Sequence, residues 1–228
     1  MDNLLIKTLL NAFEAEADNK VDNGIGKPFI TISREFGCQA NLLSEYIIKE
    51  ISRKGIYWQM VNKEILQETA NELKIHPEKI ESVVSDENRN MLDEIFDAAS
   101  AKYYKSDRKI RQTIATVVNS FAMQGNVIIV GRAGAAITRG LPNGLHIKLT
   151  APVTWRLDSV MSRHKLSRED AFKHVASTDH KRYKLYRDYM KGTQDIDGLF
   201  DVGFNCSKVT HREIARLVVT LMEERKMI

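Results

Sequence analysis

Cysteine is scarce in this chain. Only Cys38 and Cys206 occur among 228 residues. They draw neither a CxxC pair nor a disulfide framework, which excludes a small fold stapled by cross-links. The six histidines, His76, His146, His164, His174, His180 and His211, show no metal-ligand spacing, so no dedicated zinc site is expected. No stretch approaches the roughly 20 apolar residues that cross a bilayer, and no membrane partner is expected. The start, Met1-Asp-Asn-Leu4, lacks the basic opening of a signal peptide, and Lys7 interrupts the apolar run behind it. The expected location is cytoplasmic. Charge of one sign is missing too. The formal net charge is only +4, acidic and basic residues are interspersed, and there is neither a basic stripe nor a stacking platform for nucleic acid. Internal repeats and low-complexity segments are absent.

What is present is enough apolar residue, 43% of 228, for one large domain or for a domain with an inserted lobe. The informative stretch runs from Pro28 to Ile47. Phe29-Ile-Thr-Ile32 is a β-branched and aromatic run. Ser33 to Gln39 is a polar break with one glycine, Gly37. Leu42, Leu43, Tyr46, Ile47 and Ile51 then recur at helical spacing. Strand, tight turn and helix is a layout in which first-turn amides and the helix dipole meet a phosphate. A full phosphate loop reads G-x-x-x-x-G-K-[ST]. Here the lysine position falls near Ala40 and the hydroxyl position near Leu42. The stretch therefore reads either as an altered phosphate loop or as an ordinary turn at the front of an α/β sheet.

Before it, residues 3–18 have a helical pattern of Leu4, Leu5, Ile6, Leu9, Leu10 and Phe13. This arm, 1–27, packs on the core or offers a homodimer surface. After it, Gly55 ends a helix and Ile56 to Val61 reads as a second strand. Residues 62–124 read as purely helical, with Asn62 and Ser106 as caps, which is the signature of an inserted helical lobe. Val127 to Val130 is a continuous apolar run, the mark of a strand buried on both faces. Gly144 to Thr150 is another strand. Pro152 opens a helix with Trp155, Leu157 and Val160 inward. Ser167 caps a long charged helix to about Met190, a polar loop follows to Leu199, and Asp201 to Asn205 is a last strand before a closing amphipathic helix from Thr210. Strands alternating with helices imply an α/β fold with a mostly parallel sheet, whose ligands bind beyond the carboxyl ends of the strands.

Three groups at that edge carry candidate chemistry. Arg132 follows a buried strand and a glycine, where its guanidinium offers a fork to a phosphate or pairs with a carboxylate. Arg156, Arg163 and Arg168, with the basic run Thr178 to Arg187, form either a cover for polyphosphate or a solvated helix face. Asp179 and Arg182 stand three apart and can pair on a helix. Lys63, after the second strand, reaches a monophosphate or is a plain first-turn residue.

These segments together resemble a known family. Ile32-Ser-Arg-Glu-Phe-Gly37 is similar to the opening motif of the cytidylate kinase-like proteins, a branch of the P-loop nucleoside monophosphate kinases. Val127-Ile-Ile-Val-Gly-Arg-Ala133 resembles their second signature. Thr178-Asp-x-x-Arg182-Tyr, Tyr186 and Phe200 to Lys208 resemble their closing segment. The resemblance implies a P-loop kinase-like three-layer fold over 28–228: a five-stranded sheet, helices on both faces, a monophosphate-binding lobe near 62–124 and a lid near 163–192. It implies transfer of a phosphoryl group from ATP, with Mg2+, to a nucleoside monophosphate, a pyrimidine such as CMP or dCMP. By position, Gly37, Cys38, Gln39, Ala40, Asn41 and Leu42 would hold the ATP phosphates. Arg132 would hold the acceptor phosphate, Arg182 would act from the lid, and Arg156 and Arg163 would approach ATP. Lys63 and Asp179 would bind substrate. The departures are Ala40 and Leu42 for lysine and hydroxyl, Gln39 for a glycine, and Ala133 where a base-reading aspartate usually stands. Arg34 is a candidate stand-in for the lysine. Cys38 is either a thiol activated at a helix N-terminus or a small filler where serine is usual. A nucleotide-binding protein with little or no transfer is the alternative.

Overall fold

Phe29, Ile30, Thr31 and Ile32 are all buried, so β1 (Phe29–Arg34) must be covered on both faces. The computed structural model describes residues 26–62, 108–190 and 195–228. The expected arm (1–27, all but its last two residues), Lys63, the Ser106 cap and most of the expected lobe lie outside those residues. After β1 come α1 (Ala40–Ser52), β2 (Gln59–Val61), α2 (Arg108–Gln124), β3 (Val127–Val130), α3 (Gly134–Thr138) and β4 (Gly144–Thr150). The chain continues with α4 (Val153–His164), α5 (Arg168–Met190), a short 3-10 turn (Asp197–Leu199), β5 (Val202–Asn205) and α6 (His211–Glu224). The five strands form one sheet in the order β2-β3-β1-β4-β5, and every pairing is parallel.

Strand alternation divides the core in two. Phe29, Val127 and Ile129 face α2, α3 and the C-terminal end of α5. Ile30, Ile32, Ile128, Val130, Leu145, Ile147 and Leu149 face α1 and α6. Helices therefore lie on both faces of the sheet, as expected for a doubly covered parallel sheet. A third, smaller cluster joins Leu157 and Val160 of α4 to Ala171 and Val175 of α5, with Phe36 against it.

The boundaries differ from expectation in three informative places. β2 is only Gln59–Val61, because residues 56–58 precede its pairing with β3. Pro152 is the residue before α4 and not its first residue, and Trp155 is half-buried while Arg156 turns inward. Most of the segment expected as a lid near 163–192 is one continuous helix, α5, of 23 residues and about 34 Å. One end packs on α4, and the other, through Leu185, Tyr186 and Met190, is built into the sheet core. The Ser167 cap is present: its hydroxyl accepts the Asp170 N–H at 3.1 Å. Among the described residues no helix is long and apolar enough to cross a membrane.

α6 is fastened at its start by a reciprocal cap. Thr210 Oγ1 accepts the Glu213 N–H, and the Glu213 carboxylate accepts the Thr210 N–H at 2.8 Å. Replacing Thr210 by Ala is expected to lower unfolding free energy by about 1 kcal/mol, read by urea denaturation. A second expectation concerns acid. His146 on β4 shares a hydrogen bond with Thr31 Oγ1 at 2.8 Å, and burial lowers its pKa below 6.5, with Asp201 opposing and Arg225 adding to the shift. A depressed histidine pKa means that the unfolded chain takes up protons first, so stability is full above pH 6.5 and falls as the pH drops. His146→Gln should flatten that decline between about pH 6.5 and pH 5, measured by denaturation at several pH values.

Candidate functional site

The backbone ladder continues past the ends of the strands and draws several loops to one edge. Gly131 N–H donates to Ile32 O at 3.0 Å, Glu35 N–H to Leu149 O at 3.0 Å, and Cys206 N–H to Thr150 O at 2.8 Å. Beyond the carboxyl ends of β1, β3, β4 and β5 therefore meet the loop 35–39, the turn 131–133, the start of α4 and the segment after Asn205. This is the edge at which open parallel sheets bind ligands.

The loop 35–39 turns at Gly37, whose φ is +107°. A Cβ there would lie 3.0 Å from the Arg156 Cβ and 3.2 Å from Arg156 backbone atoms. Glycine is thus required twice over, by conformation and by space. Gln39 precedes α1 without a side-chain cap, and Ala40 begins the helix, buried. Asn41 and Leu42 complete the first turn, half-buried. First-turn amides of a helix have no partner within it, so this turn can receive an anion. Cys38 is fully buried and its thiol bonds to Cys206. That bond and burial push the Cys38 thiol up, while the same bond lowers Cys206. Of the two roles for Cys38, the structure supports the small filler: a buried thiol with a raised pKa is a poor nucleophile.

The five arginines at this edge have distinct environments. Arg132 is 8% exposed and sits in a left-handed turn, with φ +55° at Arg132 and +53° at Ala133. Left-handed backbone costs an L-residue about 1–2 kcal/mol, and two such residues in a row are kept only where the surroundings enforce them. Arg34 lies across Gly131: a Cβ on that glycine would be 1.9 Å from Arg34 Nη1. Arg182 donates from Nη1 to Arg34 O at 3.0 Å and stands over the Phe36 ring at 5.4 Å. Tyr186 bonds to Ser33, and burial pushes its phenol up to about 12 against the pull of that bond, Arg34 and Arg182.

Arg156 departs from its expected place. It is buried, with Nε donating to Ala151 O at 3.0 Å and Nη1 to Phe36 O at 3.2 Å and Asp179 Oδ2 at 2.5 Å. Glu35 stands 3.4 Å from its Nε. Arg156 is thus turned into the protein and neutralised there, because the inward face of α4 carries it under the loop. Arg163 is exposed. Its Nη2 reaches Gly37 O at 3.3 Å and Ser159 Oγ at 3.1 Å. Asp179 accepts the Phe36 N–H at 2.7 Å in addition to Arg156. Lys63 lies outside the described residues.

Glu35 and Ser159 also belong to this edge, outside the expected site residues. Glu35 accepts the Ala151 N–H at 2.9 Å, and Ser159 donates to Gly37 O at 3.2 Å. The signal for Ser159 was its spacing: Arg156, Ser159 and Arg163 fall on one helical face. For Glu35 there was none, because the contact joins residues 116 apart.

A model of the cytidylate kinase-like family matches residues 29–208. A crystal structure of an uncharacterised protein from Eubacterium ventriosum superposes with a TM-score of 0.58 at 17% identity, covering 86% of this chain and 99% of that one, which is a likeness of fold. Shikimate kinase from Acinetobacter baumannii, in complex with shikimate, gives 0.49 at 12% identity over 89% of this chain and 96% of its own, too distant to bear on function. A protein named uronate isomerase from Corynebacterium glutamicum is 26% identical over 122 residues, 54% of this chain. The match spans only 23% of that protein, to which the isomerase name belongs.

The doubly constrained glycine gives a direct test of the loop. Gly37→Ala is expected to cost about 1–2 kcal/mol from its backbone angle alone. It should also weaken binding of inorganic tripolyphosphate by about tenfold or more, read by calorimetry on the folded variant.

Proposed function

The chain belongs to the cytidylate kinase-like family, and from that premise we propose that it transfers the γ-phosphoryl group of ATP to a nucleoside monophosphate, with CMP and dCMP as the first acceptors to try. The observation that carries this reading is Arg132. Its guanidinium is buried at the carboxyl edge of β3, on strained backbone beside the loop that follows β1. A buried guanidinium on a rigid turn suits a doubly charged oxygen pair, which a phosphomonoester supplies.

The roles follow from position. The amides of Gly37 to Leu42 would receive the phosphates of ATP. Arg132 would hold the acceptor phosphate. Arg163 and Arg182, which flank the loop, would offset charge spread over the transferring group. In-line phosphoryl transfer needs positioning and charge neutralisation more than a strong base, and no side-chain base is required here. Mg2+ normally accompanies ATP in such transfers. The residues at this loop do not build its protein-side ligands: Leu42 stands where a hydroxyl would be, and the Glu35 carboxylate accepts the Ala151 N–H beside Arg156. No group of three or more potential metal ligands occurs among the described residues. The metal therefore belongs to this reading as the partner of ATP, and no step is routed through it.

A second reading has its own observation. The loop has no lysine, and Arg156, one of the cations nearest to it, is already neutralised by Asp179 and Glu35. A chain of this kind can bind nucleotide with little transfer, since a fold does not confer an activity.

One experiment separates the two. Transfer from ATP-Mg2+ to CMP, dCMP, UMP, AMP and GMP is measured alongside ATP binding by calorimetry. Turnover on a pyrimidine monophosphate, reduced about a hundredfold or more in Arg132→Ala, is the result expected. ATP binding with no turnover on any acceptor supports the second reading. Neither binding nor turnover removes both.

A further inference from the structure

The loop 35–39 has lost the features that let such a loop hold its own shape. It has one glycine, no lysine to bridge its carbonyls, and no side-chain cap on the helix that follows. Its shape is imposed from outside. Asp179 Oδ1 accepts the Phe36 N–H at 2.7 Å, and Arg156 Nη1 donates to Phe36 O at 3.2 Å. The same Arg156 nitrogen meets Asp179 Oδ2 at 2.5 Å. The ion pair thus grips the Phe36 residue by both of its backbone polar groups. The next carbonyl, Gly37 O, is held by Ser159 and Arg163. Phe36 itself packs under Arg182 and beside His174, with ring centroids 4.8 Å apart.

We infer that Asp179 is a positioning residue of the phosphate loop and makes no contact with the acceptor nucleoside. This rests on reading the loop as the phosphate cradle. A peptide fixed at Phe36 sets the plane of the next one, and so the direction of the amides from Gly37 into α1. Asp179 takes one loop amide for itself and leaves those that follow to the anion. It also neutralises Arg156, which lies too deep to follow a ligand. A carboxylate with one oxygen on a backbone N–H and the other on a buried guanidinium is oriented by contacts inside the protein, one to the loop and one to α4. The charged groups around it are Arg156 and Arg182, with Arg182 Nη1 at 4.0 Å, and Glu35 lies beyond Arg156.

The test uses the full chain and inorganic tripolyphosphate, a probe with no nucleoside. Asp179→Ala should weaken its binding by about tenfold or more, while Asp179→Asn, which keeps an oxygen for the Phe36 N–H but turns a donor NH2 toward Arg156, should weaken it less than the alanine variant does. Amide exchange followed by NMR should accelerate at Phe36 in Asp179→Ala and not within β1. Asp179→Glu retains the charge and the ion pair but moves the oxygen, so it carries the test if the alanine variant does not fold. It too should speed exchange at Phe36 and weaken tripolyphosphate binding. Unchanged exchange at Phe36 in both variants overturns the inference. So does a rise confined to the KM for the acceptor, with tripolyphosphate binding intact. If the wild-type chain binds no tripolyphosphate, the proposed function falls, and exchange at Phe36 still decides whether Asp179 shapes the loop.

Discussion

β1 pairs in parallel with β3 on one side and β4 on the other, along nearly its whole length. That double pairing is the constraint on which the rest depends. It buries β1 on both faces, so helices must cover both sides of the sheet, and α1 with α6 on one face and α2, α3 and α5 on the other do so. It also brings the carboxyl ends of three strands to one level. The loop after β1, the strained turn after β3 and the start of α4 after β4 therefore converge without any need for a long insertion.

Onto that frame the chain distributes positive charge unevenly. Arg156 is internal and paired with Asp179 and Glu35. Arg182 is tied to the backbone of Arg34 and to the ring of Phe36. Arg163 alone of these arginines is exposed, and its contact with the loop is a single carbonyl at 3.3 Å. A row of arginines in a sequence is thus several different things in space: a strut, an anchor and a reachable cation. Only the last two kinds can meet a ligand, and the overall charge of +4 says nothing about which is which.

The restraint on the loop 35–39 comes largely from outside it. Its own residues include one glycine, Gly37, and neither a lysine nor a hydroxyl from Gly37 to Leu42. Two helices from later in the chain supply the restraint instead, through Arg156, Ser159 and Arg163 from α4 and Asp179 from α5. The long helix α5 can do this because its far end is rooted in the sheet core by Leu185, Tyr186 and Met190.

Much of this was legible in the residues. The alternation of apolar runs and helical periods fixed the fold class and β4, Gly144–Thr150, to the residue. The buried run Val127–Val130 marked a central strand, and Ser167 and Thr210 marked two helix starts. Gly37 and Arg132, each just past a buried strand, could be placed at the carboxyl edge of the sheet, with a ligand role and a purely structural one both left open. What could not be read was the fate of the charges. That Arg156 faces inward, that Asp179 holds Phe36, and that Cys38 is locked against Cys206 depend on contacts between residues far apart in the chain. Local periodicity specifies which face of a helix is apolar. It does not say which of the polar groups at the margin of that face will find a backbone amide waiting, since that is decided only when the strands have paired and the loops they carry have met.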